Sequence, residues 1–192
     1  MAVGTRTTDV RPTDRPMTTT TTTTAAPPPP PSSLASPAWI GLGANLGERA
    51  AHLRTALAGI AALSGTQVVR VSPLYRSAPV GAGGPDYLNA VAELSTRLSP
   101  QQLLDGLQAL ELAAGRERPY RNAPRTLDLD ILLWGTDGRT HIDSATLTVP
   151  HPRLHQRAFV LRPLADIAPA LVPPAALHAV ADQTIEAAPE VL

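Results

Sequence analysis

Cysteine and lysine are both absent from this chain of 192 residues. Without cysteine there is no disulfide, no thiolate nucleophile and no thiolate-held zinc. Without lysine there is no Walker-type phosphate loop and no Schiff-base chemistry, because each depends on that amine. All 16 basic residues are therefore arginine, and 16 acidic residues balance them to a formal net charge of zero. A neutral chain has no overall field to draw in DNA, RNA or an anionic membrane, so any basic surface must be local. Aromatic residues are also scarce, at 3%, which leaves little to stack on exposed bases. No stretch approaches the ~20 apolar residues of a membrane span. The expectation is one ordinary-sized folded unit in a reducing cytoplasm, a monomer with small-molecule partners and neither nucleic acid nor membrane.

Proline and threonine are plentiful, and about half of the threonine and a third of the proline lie in residues 1–36, with a threonine run at 18–24 and a proline run at 27–31. Such a segment buries too little apolar surface to offset the entropy of ordering, so it is expected to be a disordered tail preceding a single domain at 37–192. It lacks the apolar core of a signal peptide, and Asp9 and Asp14 argue against a transit peptide.

Order is expected to begin at Trp39 with a short apolar strand, followed by a helix with Leu53, Leu57 and Ile60 on one stripe. Gly41, Gly43 and Gly47 miss the dinucleotide pattern G-x-G-x-x-G by one residue, so a tight strand-to-helix turn is the better reading. A second strand is predicted over 67–75 and a glycine-rich loop over 77–85. In a third strand, 86–96, Tyr87, Asn89 and Val91 share one face, and Leu88, Ala90, Ala92 and Leu94 the other. Tyr87 and Asn89 are candidate site residues, although packing on the sheet would equally account for both. Ser99-Pro100-Gln101-Gln102 then forms a helix start, Leu103, Leu104, Leu107 and Leu110 its buried stripe, and Gly115 its end.

Arg116, Arg118, Arg121 and Arg125 come next, directly before Leu127-Asp128-Leu129-Asp130-Ile131. On a strand, Asp128 and Asp130 share a face, with Cα atoms roughly 6.6 Å apart. Metal–oxygen bonds of ~2.1 Å would let both carboxylates converge on Mg²⁺. The cation would bridge phosphate oxygens while guanidinium groups neutralise the same polyphosphate. A wet acidic strand face beside a solvated loop is the other reading of these residues. His151 and Arg157 stand where a second wall of an anion site could form. No chemistry is assigned from Leu164 onward.

Taken together, Gly41-Leu42-Gly43-Ala44-Asn45-Leu46-Gly47, Tyr75-Arg76-Ser77-Ala78-Pro79, Asp86-Tyr87-Leu88-Asn89-Ala90, Pro124-Arg125-Thr126-Leu127-Asp128-Leu129-Asp130-Ile131 and Val149-Pro150-His151-Pro152-Arg153 resemble the 6-hydroxymethyl-7,8-dihydropterin pyrophosphokinases of folate biosynthesis. The resemblance implies an α+β, ferredoxin-like fold, a mostly antiparallel sheet with helices packed on it in αβα layers. It implies diphosphate transfer from ATP, the co-substrate, to the pterin hydroxymethyl group, with release of AMP. It further implies Asp128 and Asp130 as ligands of two Mg²⁺ ions, and Arg116 and Arg125 as catalytic arginines. Gln108, Glu111, Arg118, Ile131, Thr148, His151 and Arg157 match ATP-binding positions. Ser77, Val80, Tyr87, Asn89 and Phe159 match the pterin slot. Asn122, Thr146 and Pro152 stand where some relatives carry tryptophan, arginine and tyrosine, departures that bear on substrate affinity more than on chemistry. A different two-metal phosphoryl or nucleotidyl transferase, and an arginine-loop module for polyanions, are the competing functions. Release of AMP, as against ADP or pyrophosphate, separates the enzymes.

Overall fold

The computed structural model describes Met1 and residues 34–79, 84–115 and 125–192. Almost all of the expected tail lies outside these residues, as do Val80, Arg116, Arg118 and Arg121. The first strand, β1 (Ser36–Ala44), starts three residues before the expected Trp39 because Ser36 and Pro37 still register with Thr96 and Ser95 of a neighbouring strand.

Beyond β1 the chain turns through Gly47, whose φ of 60° suits glycine, into α1 (Arg49–Ala61). A side chain at Gly47 would also sit 3.2 Å from His52 Nε2. Leu53, Ala56 and Ile60 form the buried stripe of α1. The strand expected over 67–75 is two strands, β2 (Thr66–Val71) and β3 (Tyr75–Ser77). The reason lies in Ser72-Pro73-Leu74: proline has no N–H for the ladder, and Val91 N–H donates at 3.0 Å to Ser72 Oγ rather than to a strand carbonyl. Next come β4 (Tyr87–Thr96) and α2 (Pro100–Ala113). At the start of α2, Ser99 Oγ accepts from Gln102 N at 3.2 Å and Gln102 Oε1 accepts from Ser99 N at 2.9 Å, the reciprocal cap expected there. Later elements are β5 (Asp128–Trp134), β6 (Ile142–Asp143), β7 (Thr148–Val149), α3 (Ala158–Ile167), α4 (Pro174–His178) and β8 (Ile185–Ala187). No helix among the described residues is long and apolar enough to cross a membrane.

The main sheet runs β5-β1-β4-β3-β8, with β2 also paired to β4, and every pairing is antiparallel. One face packs on α1 and α2 through Ile40, Leu42, Leu88, Ala90, Leu94, Leu53, Ile60, Leu103 and Leu107. The opposite face packs Trp39, Val91, Leu132 and Leu133 on Val160, Leu161 and Leu164 of α3. This is the αβα layering expected. The stretch after Leu164, to which no chemistry is assigned, supplies an edge strand, since β8 registers Ile185, Glu186 and Ala187 with Ser77, Arg76 and Tyr75 of β3.

β5 changes phase partway along. Ile131 pairs with Ile40 but Leu133 with Trp39, so Leu132 is an extra, bulged residue. Before the bulge, Leu129 and Ile131 face α1 and α2; beyond it, Leu132 and Leu133 face α3 and Trp134 turns back to the other core.

Candidate active site

The phase of β5 before its bulge fixes where the acids go. With Leu129 and Ile131 turned to the α1 and α2 core, Asp128 and Asp130 share the α3 face of the sheet. Their side chains keep 21% and 43% of their surface exposed. Across that face Asp128 registers with Gly43, Gly43 with Asn89, and Asn89 with Tyr75, in one rank running over β5, β1, β4 and β3. Gly43 leaves the middle of the rank bare. A Cβ built there would lie 3.5 Å from Asn89 Oδ1, 3.8 Å from the Tyr87 ring and 3.9 Å from Asp128 Cβ. Asn89 is 4% exposed and its Nδ2 donates to Ser77 Oγ at 3.0 Å, an arrangement that turns its Oδ1 toward the bare floor.

Three cationic or titratable groups border the acids. Arg125 Nη1 donates to Asp128 Oδ2. Burial alone would lower the pKa of this guanidinium, but the charge and hydrogen bond of Asp128, aided by Tyr87 and Asp130, outweigh it and raise the value. His151 is placed by the bulge, since its N–H donates to Leu132 O at 2.9 Å. Its Nδ1 accepts from Arg153 N at 3.1 Å, so the neutral ring carries its proton on Nε2, which lies 4.0 Å from Asp130 Oδ2. Burial, opposed by Asp130 and reinforced by Arg157 and Arg153, lowers the pKa of His151. Arg157 is lowered too, first by burial, and its guanidinium carbon stands 5.4 Å from the centre of the Phe159 ring. Asp130 moves the other way. Desolvation and then the charge of Asp128 raise its pKa, despite His151, Arg157 and Arg125 pulling it down.

A divalent cation fits this donor set. Among the described residues no three His, Cys, Asp or Glu side chains gather into a metal cluster. Two carboxylates on one wet face, one of them titrating high beside the other, match Mg²⁺, which is held by one or two carboxylates and completes its shell with water and phosphate oxygens. The structure therefore brings together Arg125, Asp128, Asp130, His151, Arg157 and Phe159, with Ser77, Tyr87 and Asn89 at the other end of the rank. Gln108 and Thr148 are exposed on α2 and β7, and their part in the site rests on the resemblance. Arg116, Arg118 and Val80 fall outside the described residues.

Glu111, matched by resemblance to an ATP-binding position, is buried beside β5. It is 3% exposed, and its Oε1 accepts the N–H of Leu129 at 2.7 Å, standing in for a neighbouring strand on the outer edge of β5. Its position was visible in the sequence as a lone carboxylate seven residues after Leu104 on the buried stripe of α2. Glu111→Ala is expected to lower stability by about 1–3 kcal/mol in denaturant melts, the range for a buried donor that loses its acceptor, and Glu111→Gln to recover most of it.

The chain has counterparts among known proteins. The profile of the family described as 7,8-dihydro-6-hydroxymethylpterin-pyrophosphokinase (HPPK) matches residues 39–169. A Pseudomonas aeruginosa protein named 2-amino-4-hydroxy-6-hydroxymethyldihydropteridine pyrophosphokinase is 49% identical over 141 residues, covering 73% of this chain and 85% of that one. A Haemophilus influenzae protein of the same name is 48% identical over 138 residues, covering 71% and 84%. A Plasmodium falciparum HPPK-DHPS structure with pterin and p-hydroxybenzoate superposes with a TM-score of 0.53 at 12% identity, a likeness of fold. The match covers 71% of this chain and 40% of that one. The chain belongs to the 7,8-dihydro-6-hydroxymethylpterin-pyrophosphokinase family.

Proposed function

We propose that the bare floor at Gly43, with Asp128 on one side and Asn89 on the other, is where ATP and 6-hydroxymethyl-7,8-dihydropterin meet for pyrophosphoryl transfer. That juxtaposition carries the reading: a phosphate end and a ring end are set on one face with a glycine between them in the strand register and the Tyr87 ring at its border. In the reaction the pterin hydroxymethyl oxygen forms a bond to the β-phosphorus and loses its proton. The bond from the β-phosphorus to the bridging oxygen breaks, and that oxygen leaves on AMP.

Asp128 and Asp130 would hold the Mg²⁺, which when bound supplies positive charge to the triphosphate and acidifies the attacking hydroxyl. Arg125, fixed at the edge of Asp128, follows the negative charge that shifts onto the bridging oxygen. Burial favours the neutral form of His151, whose Nε2–H stands 4.0 Å from Asp130 Oδ2, too far to bond it and placed to donate to a phosphate oxygen. Arg157 adds a cation to the same wall and covers the Phe159 ring, against which the flat pterin stacks. Asn89 Oδ1 accepts from a ring N–H of the pterin, because its amide nitrogen is already directed to Ser77. On the outer edge of β5 the backbone alternates. Leu129 N–H is directed outward to Glu111, so the backbone of Ile131 also faces outward, with no strand beyond it among the described residues, as an edge for the adenine base. A monomer in the cytoplasm, meeting both substrates as free small molecules, is the setting this reading assumes.

The direct test is product analysis with ATP, Mg²⁺ and the hydroxymethyl pterin. AMP and the pterin diphosphate should appear in equal amounts. Appearance of ADP or free pyrophosphate instead, or no AMP above background, overturns the assignment. Gly43→Val puts two methyl groups into the floor and is expected to raise the KM for the pterin by at least about tenfold, the effect of losing ~1.4 kcal/mol of binding, with less change in the KM for ATP.

A further inference from the structure

Asn45 directly follows β1, is 2% exposed, and belongs to none of the groups assigned above. Its side-chain Oδ1 accepts the N–H of Arg125 at 2.7 Å, and its own N–H donates to the Arg125 carbonyl at 3.0 Å. Its Nδ2 donates to the Pro85 carbonyl at 3.2 Å. Two of these bonds grip a single residue 80 positions away from both of its peptide groups. The β1–β5 ladder has already ended at Gly43 and Asp128, so this grip replaces the ladder where it stops.

The chemistry of the residue is specific. One short side chain must accept from an N–H and donate to a carbonyl at once, which an amide does and an ionised carboxylate does not. Both of its partners border the site. Pro85 lies two residues before Tyr87, and Arg125 lies three before Asp128, which its guanidinium reaches. The guanidinium sits at the end of a long, rotatable side chain, so its position over Asp128 depends on how firmly the Arg125 backbone is held.

We propose that Asn45 is a positioning residue for pyrophosphoryl transfer: by clamping the Arg125 backbone it keeps the guanidinium at the Asp128 edge of the site. This role rests on the reading of Arg125 as the group that follows the transferred charge.

A double-mutant cycle tests it, with kcat, KM for both substrates and thermal melts measured for Asn45→Ala, Arg125→Ala and the double variant. Arg125→Ala keeps the backbone groups that Asn45 binds, so a purely structural function of Asn45 survives in that background. The expected result is a fall in kcat of about tenfold for Asn45→Ala alone, within the coupling range of contacting residues, and of less than about twofold when Arg125 is already alanine. KM for ATP should stay near the parent value. An equal loss in both backgrounds, or no loss in the single variant, overturns the proposal and leaves the assignment of Arg125 standing. Wild-type turnover by Arg125→Ala alone overturns that assignment, and the role of Asn45 with it. If Asn45→Ala does not fold, Asn45→Ser, which keeps an oxygen at this position, enters the same cycle with the same expected pattern.

Discussion

Asp130→Asn is expected to abolish AMP release and, at the same time, to raise the melting temperature of the metal-free protein at neutral pH. Both halves follow from the crowding of charge on the α3 face of β5. The folded state raises the pKa of Asp130 through desolvation and the neighbouring Asp128. A folded protein that holds this proton more tightly than the unfolded chain loses stability as pH rises from the ordinary aspartate value through the raised one. Above the ordinary aspartate value the metal-free enzyme carries that penalty, and asparagine, which never ionises, relieves it. Turnover moves the opposite way, because the charge that destabilises the empty site is the charge that would hold Mg²⁺. A loss of at least about a thousandfold corresponds to the several kcal/mol of charge stabilisation a metal supplies. Melts with and without Mg²⁺ and nucleotide separate the two effects. The wild type should gain from the pair and Asp130→Asn should not. A variant that loses both activity and melting temperature would identify Asp130 as a structural acid instead.

Arg125→Ala should lower kcat by about 10²–10³-fold, the range for removing one preorganised group that stabilises charge in the transition state. ATP affinity should change much less, since this guanidinium is held by the Asp128 carboxylate. The distinction is measurable by comparing single-turnover rates with equilibrium binding of ATP. If affinity and rate fall together, Arg125 serves binding rather than chemistry. Arg125→Lys is a sharper variant. It keeps the charge but loses the planar fork, and a rate closer to alanine than to wild type would show that geometry matters beyond charge.

Much of the fold was legible where local signals agree. The start of α2 could be read residue by residue because Ser99, Pro100 and Gln102 each favour the same cap, and the faces of β4 followed from strict alternation between Tyr87 and Leu94. The bulge at Leu132 could not be read, because Ile131-Leu132-Leu133 is apolar throughout and its alternation carries no phase. The break at 72–74 needed Ser72 to find Val91, a contact made only in three dimensions. β8 is three residues with no period, and it becomes a strand by having the edge of β3 beside it. In the site, Asp128 and Asp130 announced themselves by spacing. The turn of Asn89 toward Gly43 and the clamp of Asn45 on Arg125 are tertiary, linking segments that local patterning treats separately.

The pairing of β8 with β3 also bears on how the chain is made. Synthesis runs from the N-terminus, so β3 emerges about a hundred residues ahead of the strand that covers its outer side. During that interval the growing chain presents an uncovered row of backbone donors and acceptors, the kind of surface that templates pairing with other chains. Brevity is its protection: β3 spans Tyr75–Ser77, too short to hold a stray strand for long. Capture of Ile185–Ala187, with Ala188 N donating to Leu74 O at 2.8 Å and Arg54 binding the Val191 carbonyl at 3.1 Å, is a long-range closure that comes late in assembly. The ring end of the site, where Ser77 meets Asn89, is thus completed by residues synthesised more than a hundred positions after Ser77.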